Sequence, residues 1–562
     1  MYHLRNLLLF FGAFVCVQSS HNREPLVSTP FGDIRGTFLT SRLGKQIYSF
    51  RGIRYAKPPI NELRFKPPVP IEKVEGVYDA TKDGPSCPQP GSNPMSEDCL
   101  FLNVYSTKLP SGKNNPKRPV IIYIYPGAFY IAHSASNWAG PQYFMDQDIV
   151  FVTFNYRLGS LGFISTGDKE APGNNGLKDQ VVVLQWVQKN IEHFGGDPHS
   201  VTILGYSAGA WSVVLHMVSP LSEGLFHKAA SLSGSSLGIW QFPHNQTDIA
   251  KKQARILGCP DDTSKNIINC LKTKPAEDFA NALFQFREFG TDPILIWSPV
   301  IEPDVGEPRF LANHPIRLIT SGKMKQVPYI CGRTTDEFNY LALNVLRNET
   351  LSEEMSNNFE KIAPISFTYE RETEFSKKVS RAIKKHYFHD APIDWSQETA
   401  LKELYEDAIV GFQMHRAAKL ISKYNKNPVY YYRFSYQGRY SHVYKRGTNN
   451  TIPYGVVHHD DLIYLFYISK IFPLFKEHSP KEVEMVEKLT RLYANFAKTG
   501  NPTPVRSKIL DNTLWEPYTP TERKYLDIGK QLVMKEKLLE NRFQFWDKLY
   551  PISLYLEEDS MH

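Results

Sequence analysis

Short apolar runs alternate with an amphipathic stretch between residues 119 and 219. Val120–Tyr125 (VIIYIY) and Asp148–Asn155 (DIVFVTFN) are runs rich in β-branched and aromatic residues, which predict buried strands. Val181–Ile191 (VVVLQWVQKNI) has helical spacing, and Ser200–Gly205 (SVTILG) predicts a third strand. Short apolar strands that alternate with helices form a mostly parallel sheet covered on both faces. The pattern therefore predicts an α/β fold.

The third strand runs directly into a glycine-flanked serine. The segment Gly205–Gly209 reads GYSAG, and a helix-like AWSVVLHMV follows it. A serine at such a strand-to-helix turn is held in a strained conformation that lifts its hydroxyl clear of the sheet, and the tight turn requires small flanking residues. The start of the following helix places partial positive charge nearby. Ser207 is thus a candidate nucleophile.

A serine nucleophile needs a base and a carboxylate that orients the base. In a sheet of this kind the chain order is serine, then acid, then histidine. Downstream of Ser207, the apolar run VPYICG leads to Asp336 and Glu337, and the segment GVVHHDD carries His458 and His459. From the residues alone, either acid and either histidine could complete the triad.

The amino-terminal residues have the features of a signal peptide. A basic start precedes the apolar stretch Leu7–Val17, and the small Ser19 and Ser20 follow. The remaining chain has no apolar run of the roughly 20 residues that span a membrane, and its last residues are polar. We therefore expect residues 1–20 to be removed and the protein to be secreted. With no repeat or linker, residues 21–562 are expected to form one domain with insertions.

Sequons, cysteines and charge agree with an exported protein that does not bind nucleic acid. Sequons that predict glycosylation stand at Asn245, Asn348 and Asn449. Outside the signal peptide there are five cysteines, of which four can form two short-range pairs, leaving Cys331. The net charge of +7 is small beside 65 basic and 58 acidic side chains, which are scattered without a long basic run.

Several motifs together resemble one family, the type-B carboxylesterases and cholinesterases, and most closely the secreted insect carboxylesterases. The motifs cover nearly the whole chain and include the GYSAG turn. The others are Phe50–Ile53, Ser96–Leu100, Asn155–Gly159, Gly173–Gln180, Phe194–Pro198 and Asn495–Pro502. The resemblance implies an α/β-hydrolase fold with large loop and helical insertions around a mostly parallel sheet. It also implies that Glu337 is the acid and His458 the base.

The resemblance extends to covalent links and to one ion pair. The family pattern implies two disulfides and a structural salt bridge without a catalytic role. These pairs are Cys87–Cys99, Cys259–Cys270 and Arg51–Glu97.

The resemblance also implies an oxyanion hole. The family carries it on a strand-end segment that usually reads His/Tyr-Gly-Gly-Gly/Ala-Phe, and here Tyr125–Phe129 reads YPGAF. The donors implied are the backbone N–H groups of Gly127, Ala128 and Ala208. Pro126 departs from the pattern. Proline has no N–H, but that position is not a donor, so the number of donors is unchanged.

Single residues separate the branches of the family. Cholinesterases typically carry glutamate before the nucleophile and a tryptophan in the first disulfide loop, whereas this chain has Tyr206 and no aromatic residue between Cys87 and Cys99. Juvenile hormone esterases usually carry glutamine directly before the nucleophile, where this chain has Tyr206. Trp240 resembles an acyl-pocket tryptophan, and an ordinary core aromatic is an equal alternative.

These observations predict a serine hydrolase that cleaves small carboxylic esters through an acyl-enzyme. The reaction requires neither a metal nor an organic cofactor. Two alternatives are a non-catalytic adhesion or binding ectodomain and a specialised hormone or pheromone esterase. The sequence leaves the natural ester and the oligomeric state open.

Overall fold

The computed structural model describes residues 24–556 except residues 93, 241, 477 and 478. The expected signal peptide, residues 1–20, lies outside the described residues. Within the described part, the strands in chain order are β1 (Leu26–Thr29), β2 (Gly32–Arg35), β3 (Thr37–Thr40), β4 (Gln46–Arg54), β5 (Val77–Asp79), β6 (Phe101–Ser106), β7 (Arg118–Ile124), β8 (Val150–Phe154), β9 (Gly196–Tyr206), β10 (Lys228–Leu232), β11 (Tyr329–Thr334), β12 (Val429–Phe434), β13 (Lys524–Ile528) and β14 (Leu532–Glu536).

Eleven of the strands described form one sheet with the order β14-β13-β12-β11-β10-β9-β7-β8-β6-β4-β3. The strands from β13 to β8 in this order pair in parallel, and those at both edges pair antiparallel. Every residue of β7 and β8 is buried, which explains their uninterrupted apolar sequences. The mostly parallel sheet expected from the sequence is confirmed.

The helices fill the connections between the strands. In chain order they are α1 (Gly159–Phe163), α2 (Asn175–Asn190), α3 (Ala208–Val218), α4 (Thr247–Ile256), α5 (Ser264–Lys272), α6 (Ala276–Ala282), α7 (Pro315–Thr320), α8 (Asn339–Leu346), α9 (Glu349–Asn357), α10 (Phe359–Phe367), α11 (Glu374–Phe388), α12 (Glu398–Glu406), α13 (Phe412–Tyr424), α14 (Pro480–Thr499) and α15 (Glu540–Leu549). Helices α8 to α13 all lie between β11 and β12, so the helical insertions expected from the resemblance are present.

Helix α2 begins six residues before the expected start at Val181. Its first turns are polar in sequence but buried, because their charges are paired inside the protein. Asp179 accepts hydrogen bonds from Arg157, with a shortest distance of 2.7 Å, and Lys178 lies 2.7 Å from Glu302. Because buried positions of these turns carry charged residues, the apolar spacing that marks a helix in a sequence is missing there.

The two disulfides join the cysteines that the resemblance implied. Cys87–Cys99 and Cys259–Cys270 each close a short loop. Cys331 is free and buried on β11, and burial raises the pKa of its thiol far above the usual value. A buried thiol of this kind behaves as a small apolar side chain.

The expected ion pair between Arg51 and Glu97 is wrong. Arg51 instead donates to Asp83 at 2.9 Å. Glu97 binds Arg64 through two hydrogen bonds, of 2.6 and 2.5 Å. The guanidinium of Arg64 also donates to the backbone carbonyls of Leu271, Lys272 and Lys274, which directly follow Cys270, so this buried arginine links Glu97 in the first disulfide loop to the segment after the second.

No helix in the described part of the chain combines the length and the apolar character needed to cross a membrane.

Candidate active site

Ser207 stands at the sharp turn between β9 and α3. Its backbone has φ 53° and ψ −117°, a conformation that non-glycine residues rarely adopt. A Cβ on Gly205 would lie 2.1 Å from the carbonyl oxygen of Gly209, and one on Gly209 would lie 2.0 Å from that of Ile124. Both flanking positions therefore require glycine, as expected from the motif. The strained turn is held by the Ser207 N–H, which donates to the Leu232 carbonyl at 2.9 Å.

His458 and Glu337 form a buried pair. The Nδ1 atom of His458 lies 2.6 Å from Oε2 of Glu337, and the other carboxylate oxygen accepts a hydrogen bond from the Thr334 N–H at 2.9 Å. Burial alone would raise the pKa of Glu337, but the charge and hydrogen bond of His458 outweigh it and hold the pKa below its usual value. Glu337 is thus an anion that can orient the imidazole and stabilise its protonated form.

The neighbouring acid, Asp336, has a different task. Its carboxylate accepts the Val456 N–H at 2.8 Å, and its own N–H donates to the Val456 carbonyl at 2.9 Å. A Cβ on Gly455 would lie 2.7 Å from this carboxylate, so the loop approaches it closely. Asp336 therefore anchors the histidine loop while Glu337 contacts the histidine. This division separates the two acids that the sequence left as alternatives.

The two histidines are also separated. His459 has a φ of 82°, and its N–H donates to the Tyr206 hydroxyl at 2.8 Å. Burial of its ring, with the neighbouring His458 and His442, lowers its pKa well below the usual value. His458 alone of the two bonds Glu337 among the described residues, and its Nε2 has no hydrogen-bond partner within that part of the chain.

Aromatic rings hold the imidazole of His458 in place. The Phe338 ring centroid lies 4.1 Å from it, and the Tyr206 ring centroid lies 5.0 Å away. Phe338 directly follows Glu337 and has a left-handed backbone with φ 53°. This conformation allows Glu337 to contact His458 while the next side chain, Phe338, lines the cavity.

The expected oxyanion segment follows β7 as a sharp turn. Gly127 has φ 104°, and a Cβ there would lie 2.0 Å from the carbonyl oxygen of Ile131. Ala128 also has a positive φ, of 48°. Within the described residues, the N–H groups of Gly127 and Ala128 donate to no other group. Ala208 is the first residue of α3, where helix N–H groups lack intrahelical acceptors.

One cavity opens directly onto Ser207. Its empty space is about 500 Å³ including the open mouth, and its walls are mostly apolar. The lining residues are Ala128, Phe129, Ser207, Ala208, Trp211, Ser233, Gly234, Ile294, Leu295, Phe338, Thr368, Ile409, Val410 and Gln413. Two of the expected oxyanion donors and the candidate nucleophile thus share one cavity.

Trp240 is absent from the lining of this cavity and packs behind Trp211, with ring centroids 6.4 Å apart. Trp211 itself and Gln413 are lining residues that the sequence analysis missed. Trp211 could have been noticed, because it follows the serine by four residues on one helix. Gln413 had no local signal, since the fold brings it in from α13, more than 200 residues later in the chain.

The three sequons are exposed. Asn245, Asn348 and Asn449 all have solvent-exposed side chains. Asn348 also forms the N-cap of α9, where its side-chain oxygen accepts the Leu351 N–H at 3.3 Å. Glycosylation of these residues remains a prediction.

Comparison with known proteins agrees with this arrangement. Residues 23–546 match the model of the carboxylesterase family. The chain belongs to the carboxylesterase family. It is accordingly a carboxylic ester hydrolase with the α/β-hydrolase fold.

Two insect proteins and one solved structure are similar to this carboxylesterase along most of their length. Venom carboxylesterase-6 of Apis mellifera is 35% identical over 97% of this chain and 98% of its own. Juvenile hormone esterase of Tribolium castaneum is 35% identical over 89% of this chain and 88% of its own. The crystal structure of juvenile hormone esterase from Manduca sexta, with OTFP covalently attached, has a TM-score of 0.82 and 30% identity, covering 94% of this carboxylesterase and 99% of that chain.

Proposed function

We propose that this carboxylesterase cleaves esters by two-step acyl transfer through Ser207, His458 and Glu337. The observation that carries the proposal is the buried 2.6 Å contact between His458 and Glu337. The ring of Tyr206, the residue before the strained Ser207, lies 5.0 Å from the His458 ring, which supports the same grouping. Because Nδ1–H is held by the Glu337 anion, the neutral imidazole presents Nε2 as a free acceptor. That atom is the base the serine hydroxyl needs.

In the first step, His458 Nε2 takes the proton of Ser207 as Oγ attacks the ester carbonyl. The imidazolium then gives this proton to the leaving alkoxy oxygen, the carbon–oxygen bond breaks, and the alcohol departs. In the second step, water gives its proton to the same Nε2 and attacks the acyl carbon. Collapse of this intermediate returns the proton to Ser207 Oγ and releases the carboxylic acid. Glu337 stays ionised throughout.

The oxyanion of each tetrahedral intermediate binds the backbone N–H groups of Gly127, Ala128 and Ala208 in this proposal. The free N–H groups at Gly127 and Ala128 support it, as does the position of Ala208 at the start of α3. Pro126 precedes these donors and fixes its own φ, so it is compatible with a preformed turn.

The cavity supports a neutral, apolar ester as substrate. Its walls include Ile294, Leu295, Ile409 and Val410, and none of the described residues that line it is charged. An apolar wall favours hydrocarbon groups and disfavours a cationic choline. We therefore propose that neutral esters with hydrocarbon groups are hydrolysed with a higher kcat/KM than acetylcholine.

The proposal includes secretion. A removed signal peptide of residues 1–20 would leave residues 21–562 as one domain, and two disulfides are typical of proteins that fold in oxidising compartments. Glycans at the exposed Asn245, Asn348 and Asn449 would accompany export.

A specialised hormone esterase is the second candidate. Two of the similar proteins are juvenile hormone esterases, and an apolar cavity suits a lipophilic ester of that kind. The aromatic Tyr206 before the nucleophile, where glutamine is usual in that branch, favours the general esterase. A panel that compares a juvenile hormone ester with simple alkyl esters separates the two.

Hydrolysis of p-nitrophenyl acetate by the purified protein tests the proposal. We expect turnover that Ser207→Ala abolishes, while Ser422→Ala, on the exposed side of α13, retains it. Loss of activity in both variants, or in neither, contradicts the assignment. An inactive wild-type protein would favour the adhesion or binding ectodomain.

A further inference from the structure

The side chain of Gln413 forms hydrogen bonds to three separate segments around the cavity. Its Oε1 accepts hydrogen bonds from the indole Nε1–H of Trp211, at 2.8 Å, and from the Ser235 N–H, at 2.9 Å. Its Nε2 donates to the carbonyl oxygen of Ile409. The side chain is 6% exposed, so water competes little for these bonds.

Each of these partners belongs to a different element. Trp211 lies on α3, one turn after Ala208. Ser235 belongs to the segment after β10, in which Ser233 and Gly234 also line the cavity. Ile409 lies in Asp407–Gly411, a wide π-type turn between α12 and α13 that exposes two apolar side chains to the cavity. A turn of this type is frequent at functional sites because it displaces side chains from the regular helical positions.

Trp211 is the largest side chain of the wall next to the nucleophile. Its N–H donates to the Ser207 carbonyl, at 3.0 Å, which fixes its backbone beside the reacting centre. Its ring packs among Phe129, Trp240 and Phe242 at centroid distances between 6.2 and 6.4 Å. Such contacts fill space without fixing a single indole orientation, whereas the hydrogen bond to Gln413 selects one.

We propose that the Trp211–Gln413 hydrogen bond limits the length of the acyl chain that this carboxylesterase accepts. The inference rests on the proposed function and adds a specificity-determining pair to it. With Gln413 in place, the indole and the Ile409 turn form a rigid end wall for an acyl group on Ser207. Without Gln413, the indole and the Ile409 turn can move apart, and the cavity then accommodates a longer acyl chain.

The test is an acyl ladder of p-nitrophenyl acetate, butyrate and hexanoate, in which the leaving group is constant. We expect Gln413→Met and Trp211→Phe each to raise the hexanoate-to-acetate ratio of kcat/KM by about tenfold or more, the scale on which a pocket discriminates one methylene group. The double variant should show little further change, because either substitution breaks the same bond.

Trp515→Phe is the matched control. It removes another buried indole N–H, which donates to the Tyr431 carbonyl at 3.2 Å, from a residue outside the cavity lining. The control should leave the ratio unchanged. Rates are normalised to the number of active sites that an organophosphate titrates, which removes the effect of misfolded protein.

Three results would overturn the inference. The first is a ratio within twofold of the wild type in both single variants. The second is full additivity in the double variant. The third is a shift confined to a ladder of methyl, butyl and hexyl acetates, which would place the alcohol group against this wall. Failure of the proposed function is distinct, because the wild type itself would then titrate no active site.

Discussion

The Tyr206 hydroxyl accepts a hydrogen bond from the backbone N–H of His459 at 2.8 Å. Tyr206 precedes Ser207, the proposed nucleophile, and His459 follows His458, the proposed base. The bond therefore joins the strand end that carries Ser207 to the loop that carries His458. The Tyr206 side chain is fully buried, so the bond is shielded from water.

Tyr206→Phe should lower kcat about two- to tenfold with little change in KM. The substitution removes one buried acceptor, whose net contribution is on the order of 1 kcal/mol, and loosens the loop that carries His458. Steady-state kinetics on p-nitrophenyl acetate measures the effect. Tyr431→Phe is the control, because that buried hydroxyl has no partner among the described residues. Equal losses in the two variants would count against a positioning role for Tyr206.

Substitution of the two adjacent acids should separate catalysis from anchoring. Glu337→Gln should lower kcat by roughly 10²–10⁴, because the amide no longer stabilises the imidazolium. Asp336→Asn should keep kcat within tenfold, because the amide oxygen can still accept the Val456 N–H. Kinetics and the melting temperature of both variants are compared. A larger kcat loss in Asp336→Asn would reverse the assignment.

The two histidines should respond in opposite ways. His458→Ala should cost at least about 10³ in kcat, since it removes a triad member. His459→Gly should stay within tenfold, because glycine adopts the φ of 82° without strain and keeps the backbone N–H that Tyr206 accepts. Single-turnover rates decide between them. Were His459→Gly the damaging change, His458 would not be the base.

Buried neutral histidines should make stability fall in mild acid. Burial lowers the pKa of His216 to about 3, with Lys325 a lesser cause. The histidine of the unfolded chain takes up its proton near pH 6.5. The contribution of the neutral His216 to the free energy of unfolding is therefore complete above that pH and is lost progressively down to about pH 3.

The matched variants are His216→Gln and His199→Gln, the second at an exposed position. The free energy of unfolding is measured with urea between pH 6 and 4. Its fall with decreasing pH should be smaller for His216→Gln than for the wild type by about 1.4 kcal/mol per pH unit, which is equivalent to one proton. The His199 variant controls for the loss of a histidine from the surface. Parallel slopes in all three proteins would mean that His216 titrates normally in the folded state.

The sequence could predict what short-range patterns encode. The strands around Val120 and Ile203 were visible because their buried faces are continuous apolar runs, and the elbow because Gly205 and Gly209 have no room for a side chain. Glu337 and His458 were placed by family resemblance. The residues alone do not separate Glu337 from Asp336 or His458 from His459, since the choice depends on which side chains meet across more than 120 residues.

Other features depend on tertiary contacts that leave little local trace. Arg64 replaced Arg51 as the partner of Glu97 because its guanidinium is also held by carbonyls from residues 271 to 274. Gln413 reaches the cavity only through the insertion between β11 and β12. Neither position has a periodicity or a spacing that marks it in the sequence.

Covalent titration of Ser207 tests the central claim most directly. The protein is treated with diethyl p-nitrophenyl phosphate, and the p-nitrophenol released, the residual esterase activity and the modified peptide are measured together. The account predicts one equivalent of p-nitrophenol per chain, complete loss of activity and a diethylphosphoryl adduct on Ser207, with none of these in Ser207→Ala. Loss of activity with the adduct on another residue, or an active enzyme with Ser207 modified, would contradict it.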